Sequence, residues 1–173
     1  MSNLEQLRID LRALTEHETM LECDLDDACF EALGGAEVNR GSVHVSLSIR
    51  KASGFYDLCY SIDGTVQVAC DRCLAEMAQP VKGERRLTAK LGKSAGEDDD
   101  VVTVDENDGV IDLSWPVYET IALAIPIRHV HEPGKCDAAM TEALEAHRAA
   151  RSSEDGDGAG NDARWDKLKN LTF

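Results

Sequence analysis

Aromatic side chains are scarce, 5% of the chain as two Trp, three Tyr and three Phe, so a core has to be packed largely from Leu, Val, Ile and Ala. Basic residues are also in short supply. Eighteen Lys and Arg stand against 33 Asp and Glu, a net charge of −15. A surface of that sign repels a phosphate backbone, which argues against broad nonspecific nucleic-acid binding and for solubility or a basic partner. No apolar run reaches membrane length: the stretch Trp115 to Ile127 is interrupted by Glu119 and Pro126 and falls short of the roughly 20 residues a spanning helix needs. The opening MSNLEQLRID has no apolar signal core, so the expected setting is the cytoplasm. In that reducing compartment the six cysteines serve as buried thiols, metal ligands or redox groups rather than as structural disulfides. Also missing are a GxSxG elbow, a phosphate loop, a dinucleotide fingerprint and an HExxH helix. No enzyme active site assembles from what remains.

What is present suits one domain. The 173 residues are 43% hydrophobic, enough for one packed core over residues 1–151. The acids are bunched, seven in Glu16–Glu31, seven in Glu97–Asp108 and four in Glu154–Asp162. Between them, Lys82, Arg85, Arg86, Lys90 and Lys93 against Glu84 give Lys82–Lys93 a local +4, with Arg72 just upstream.

Leu4, Leu7, Leu11 and Leu14 recur at helical spacing and predict a short amphipathic helix over Asn3–Thr15, with an opening strand as the alternative. Val43, Val45, Leu47 and Ile49 alternate with polar residues, a half-buried strand. Phe55–Ile62 and Thr65–Cys70 read as two strands of a hairpin turning at Asp63-Gly64. Val81–Leu91 follows as a strand, and on it Lys82, Glu84, Arg86, Thr88 and Lys90 share one face. Gly92–Asp100 reads as an acidic loop. Short strands are expected at Val101–Val104 and Val110–Leu113, around the turn Asn107-Asp108-Gly109. Ser114 is placed to cap a helix whose stripe is Trp115, Tyr118, Ile121, Ala122 and Ile125, ended by Pro126. A second helix runs from Asp137, its cap, to Arg151. Residues 152–162, SSEDGDGAGND, cannot bury a core and form a flexible linker. The ending 163–173 carries Trp165, Leu168 and Leu171 three residues apart, which marks it as a docking tail, either folded back onto its own domain or seated on a partner. The fold expected is α+β: an antiparallel sheet or open barrel of about six strands, two helices from the C-terminal half, and the tethered tail.

Cys70-x-x-Cys73 is the sharpest chemical feature. Two thiolates at this spacing chelate one tetrahedral ion and form half of a zinc site. His129, His131 and Cys136 offer a second half, and thiolate with imidazole is a donor set suited to zinc. Two other readings stand open, plain packed or exposed thiols and a thiol redox pair. A redox CxxC of the thioredoxin kind opens a helix after a parallel strand, whereas this one closes an antiparallel pair. Cys23, Cys29 and Cys59 are read as structural. Asp98-Asp99-Asp100 is read as solvated. The basic strand is either a polar outer face or, with Arg72, Lys82, Arg86 and Lys90, a phosphate-contacting stripe.

The run Gly64-Thr-Val-Gln-Val-Ala-Cys70-Asp-Arg-Cys73-Leu74, a charged strand, an acidic loop and Ile111-Asp-Leu-x-x-x-Val117-x-Glu119-x-Ile121-x-Leu123-x-Ile125-Pro126 together resemble the YceD-type large ribosomal RNA subunit accumulation proteins. The ending Arg164-Trp165-Asp166-Lys167-Leu168 resembles that family's terminal motif. The likeness covers about Val43 to Cys136 and the tail, and its recognisable positions are Cys70, Arg72, Cys73, Leu74, Glu119, Pro126, His131 and Cys136. It implies a non-enzymatic cytoplasmic factor for ribosome biogenesis, supporting accumulation of large-subunit ribosomal RNA, with that RNA or the assembling large subunit as partner and no membrane role. Beside it stand two alternatives, an acidic holder of a basic ribosomal protein and a CxxC thiol redox protein. The metal set taken forward is Cys70, Cys73, His131 and Cys136, with zinc as the ion.

Overall fold

A computed structural model of the chain describes residues 3–93, 96–98 and 101–148. Its strands are β1 (Arg8–Asp10), β2 (Glu18–Leu25), β3 (Gly41–Ala52), β4 (Phe55–Ala69), β5 (Glu76–Gly92), β6 (Gly96–Asp98), β7 (Val101–Asp105) and β8 (Val110–Asp112); its helices are α1 (Asp27–Leu33), α2 (Ser114–Leu123) and α3 (Ala138–Ala146). Six strands form one sheet in the order β2-β3-β4-β5-β7-β6, and β1 pairs with β8 in a small second sheet. All neighbours are antiparallel except β5 and β7, which run parallel. The edge strands β2 and β6 do not meet, so the sheet is open. This is the expected α+β architecture, with a mixed sheet. The linker 152–162 and the tail 163–173 lie outside the described residues.

Alternation decides the strands. On β3, Val43, Val45, Leu47 and Ile49 are buried and His44 and Arg50 exposed. On β4, Tyr56, Leu58, Tyr60, Ile62, Val66 and Val68 are buried. The hairpin expected at Asp63-Gly64 does not exist: β4 runs straight through both residues, and its turn partner is β3, reached at Ser53-Gly54 with Ala52 opposite Phe55. The burial phase explains why. A two-residue turn at 63–64 would set Ile62 opposite Thr65 and put Val66 and Val68 on the other face, whereas one unbroken strand keeps all three on the core side. Gly64 is needed for a different reason: a Cβ there would sit 2.3 Å from the Ser42 carbonyl oxygen and 2.6 Å from Val43 Cα. A strand glycine here permits close approach of two backbones.

Other expectations change too. The leucines of the N-terminus do turn inward, Leu7 and Leu11 being buried, but through a 3-10 turn at Asn3–Leu7 and β1 rather than an α-helix. Helix α1 was not legible as a periodic stripe because it is only seven residues long. Its ends are nonetheless set by sequence: the Asp26 carboxylate accepts from Cys29 N–H at 3.0 Å, and Gly34, at φ 62°, stops it. The acidic segment Gly92–Asp100 contains β6. Strands β7 and β8 exist, but they pair with β5 and β1 rather than with each other.

Helix α2 packs against β4 and β5. Ser114 does not cap it. It lies inside the first turn, and the Asp112 carboxylate accepts its N–H at 2.9 Å. The buried face is Val117, Tyr118, Thr120 and Ile121, while Trp115 is exposed, stacked on Tyr118 with its indole N–H donating to Glu119. Buried hydroxyls dock the helix. Tyr60 donates to the Pro116 carbonyl at 2.9 Å beside Thr120, and Tyr118 Oη accepts from Glu37 and Val38 N–H, each at 3.1 Å. Each such bond is worth about 1 kcal/mol net, and more is lost if one partner is left unpaired. Helix α3 begins as expected, with the Asp137 carboxylate accepting from Met140 N–H.

Gly64→Ala is expected to lower stability by about 1–3 kcal/mol by forcing β3 and β4 apart, with the loss read as a lower denaturant midpoint at unchanged slope.

Candidate metal centre

Strand β4 ends at Ala69 and β5 starts at Glu76, so Cys70 and Cys73 lie in the turn joining two antiparallel strands. Two backbone hydrogen bonds close that turn, Leu74 N–H to the Cys70 carbonyl and Cys70 N–H to the Ala75 carbonyl, both 2.9 Å. Leu74 takes the left-handed region, at φ 60°. Both thiols are inward, Cys70 0% and Cys73 4% exposed.

The loop after α2 comes to this turn. Asp71 and His129 hold it by a reciprocal clasp: Asp71 N–H donates to the His129 carbonyl at 3.0 Å, and His129 N–H donates to the Asp71 carboxylate at 2.8 Å. His131 and Cys136 follow on the same loop, half-buried. The donor atoms of Cys70, Cys73, His131 and Cys136 all lie within 4.8 Å of one another, with Cys73 Sγ 3.4 Å from His131 Nδ1. A tetrahedral ion with metal–sulfur bonds of about 2.3 Å spaces its donors roughly 3.8 Å apart. Three sulfurs and one imidazole nitrogen at these separations fit a metal ion. His129 is not part of the set; its ring faces the Pro126 carbonyl and the Asp71 carboxylate.

The surroundings favour ionisation of Cys70 and Cys73 but not of Cys136, and they keep a proton on His131. Burial resists ionisation of Cys70, but N–H groups of His131, Arg72 and Cys73 outweigh it and bring the thiol down to about 6. Cys73 is lowered by the Asp137 N–H in the first place, against burial. Cys136 is raised, by burial and then by the two neighbouring sulfurs, and His131 is raised by its hydrogen bonds to Cys70 and Cys73. In the protein alone the cluster therefore keeps protons that a metal ion displaces on binding.

The family model for the large ribosomal RNA subunit accumulation protein YceD matches residues 58–172, which takes in all four donors. The chain belongs to the YceD family. No curated protein and no solved structure matches it. Among the described residues of this YceD member no helix is long and apolar enough to cross a membrane.

The remaining predicted site residues are less concentrated. Lys82, Arg86 and Lys90 do share the exposed face of β5, but the +4 counted along the chain is offset across the ladder. Lys82 pairs with Asp63 at 3.2 Å, and Arg86 binds Asp57 through two hydrogen bonds, one of 2.7 Å. On this face of β4 and β5, Lys82, Arg86 and Lys90 lie with Glu76, Glu84, Asp57 and Asp63, so the acids match or exceed the cations. Arg72 faces Glu145 of α3 at 3.8 Å. It is also remote: at about 3.4 Å per residue, Lys82 stands up to ~20 Å and Lys90 up to ~48 Å along β5 from its start. Cys23 and Cys29 are buried, and burial pushes the Cys23 thiol up to about 11. Cys59 is exposed, because it falls on the outer parity of β4, opposite Arg86.

Sequence reasoning passed over Asp71, and it read Asp137 only as a helix cap. Asp71 is the spacer between the cysteines and clasps the loop; Asp137 caps α3 and aims its N–H at Cys73. The readable signal was the position of Asp137, one residue after Cys136.

The hydrogen bond from Arg86 holds the Asp57 carboxyl below its usual range, against the effect of burial. A carboxylate lowered in the folded state contributes stability above its unfolded pKa and loses it as pH falls through the folded value. The stability gap between the wild-type chain and Asp57→Asn is therefore expected to be under about 1 kcal/mol at neutral pH, since Arg86 is solvent-exposed. It should close below about pH 4, as followed by denaturant titration across pH.

Proposed function

We propose that this chain is a non-enzymatic, cytoplasmic ribosome-biogenesis factor that supports accumulation of large-subunit ribosomal RNA, and that zinc held by Cys70, Cys73, His131 and Cys136 is its structural clip. The observation that carries the reading is the convergence of four donors from two segments nearly sixty residues apart in the chain. Family membership supports the ribosomal part. Zinc is the ion because a thiolate-rich, redox-neutral tetrahedral set suits it. When bound, it supplies a cross-link between the β4–β5 turn and the loop after α2. The residues of the chain do the rest: the Asp71–His129 clasp positions the loop, and the turn presents Arg72 outward. Inward-facing thiols with a fourth donor beside them support this reading over a redox pair, which needs an accessible thiolate.

In this reading Arg72, Lys82, Arg86 and Lys90 meet the RNA of the assembling large subunit. Arg72 and Lys82 pair with the exposed carboxylates of Glu145 and Asp63, pairs worth little in water, so exchanging them for phosphate is not costly; Arg86 has to leave the half-buried Asp57. A second reading draws on the same face. With its cations already balanced and the chain at −15, the acidic surface suits a basic ribosomal protein held before assembly.

Elemental analysis of untagged protein is expected to give about one zinc per chain, lost in Cys70→Ser and in Cys136→Ser; wild-type protein without metal would end the clip reading. For the contact, Arg72→Ala combined with Lys82→Ala and Arg86→Ala should weaken binding to large-subunit RNA fragments and lower the salt slope by roughly one per lost phosphate contact. Unchanged RNA binding removes the stripe, and salt-sensitive binding only to a basic ribosomal protein selects the second reading.

A further inference from the structure

Beside the Cys70–Cys73 turn lies a groove of about 460 Å³ whose apolar side is lined by Leu74, Ile125, Pro126 and Ile127 and whose polar side carries Glu37, Asp71 and His129. Two of its walls are anomalous. Leu74 is 69% exposed and Ile127 is fully exposed, although each is a large aliphatic residue. Leu74 also holds a left-handed backbone that glycine would take without strain. A bulky apolar side chain kept at such a position and aimed at solvent marks a surface that something covers.

We propose that its occupant is the end of the same chain, residues 163–173. The last described turn of α3 is already at the site, since Glu145 faces Arg72, two residues from Leu74, and Arg148 pairs with Glu145. From there the 14 residues 149–162 can reach at most about 50 Å, enough chain to bring residues 163–173 to the groove. Its chemistry is complementary. Trp165, Leu168 and Leu171 recur every three residues to fill the apolar side of the groove, and Arg164, Lys167 and Lys169 against Asp166 make the tail a net basic segment of an acidic chain. Glu37 and Asp71 stand at the groove to receive them. A ligand for the Leu74 face has to displace this tail.

The test uses the full chain carrying Trp115→Phe, which leaves Trp165 as its single tryptophan. Its emission is expected to be blue-shifted and shielded from acrylamide at every protein concentration. Leu74→Ser, or separately Ile127→Ser, should shift the emission to the red and raise quenching roughly twofold as the indole is released, with circular dichroism and metal content unchanged. Glu37→Lys should act in the same direction, more weakly. Three results overturn the proposal: an indole fully quenchable in the parent chain, which leaves the groove to an external partner; protection indifferent to both groove substitutions; or protection that appears only at high concentration, which makes the occupant a second copy.

Discussion

The antiparallel ladder of β4 against β5, from Tyr56 opposite Ala89 to Ala69 opposite Glu76, is the constraint on which the rest of the molecule hangs. Its inner face supplies Tyr60, Ile62 and Val81 to the core, its middle seats α2, and its end throws out the turn that bears Cys70 and Cys73. Because paired strands leave the turn few ways to sit, the two thiols are placed before any other ligand arrives. A long ladder also makes register strict: a slip of one residue would turn the buried face of β4 to solvent.

The second half of the site depends on how α2 ends. The Tyr60 and Tyr118 hydroxyls fix the helix on the sheet, and Pro126 lies three residues past Leu123. The chain therefore leaves α2 beside the turn rather than away from it. The Asp71–His129 clasp completes the approach with ordinary hydrogen bonds, individually modest. A cluster of partly ionised thiols and a raised imidazole is costly to assemble without an ion, which is why its formation in a protein of so small a core carries functional weight.

Charge shows how far a linear reading goes. The +4 of Lys82–Lys93 is a real property of the sequence, yet β4 sets Asp57 and Asp63 across from that segment and leaves the shared face with no positive excess. Local charge is summed along the chain, whereas a partner senses it across strands about 5 Å apart. Cys59 repeats the lesson: reading it as a strand residue was right, but its parity places it outside.

Much of this was legible in sequence. Alternation marked β3 and β5, Asp137 marked the start of α3, and CxxC with His131 and Cys136 marked the donor set, because each rests on local chemistry or on a spacing that local geometry obeys. The Asp63-Gly64 hairpin failed since a turn signal was weighed above the unbroken parity of Ile62, Val66 and Val68, which was there to be read. The sequence by itself determined the α+β class, the core strands, the two halves of the cluster and the chemistry of its ligands. Tertiary structure alone decided that the halves meet, through the Asp71–His129 clasp, that the basic stripe is neutralised by β4, and that Leu74 and Ile127 flank one groove. Those are distances between residues far apart in the chain, and they follow from the packing of the whole sheet rather than from any segment of it.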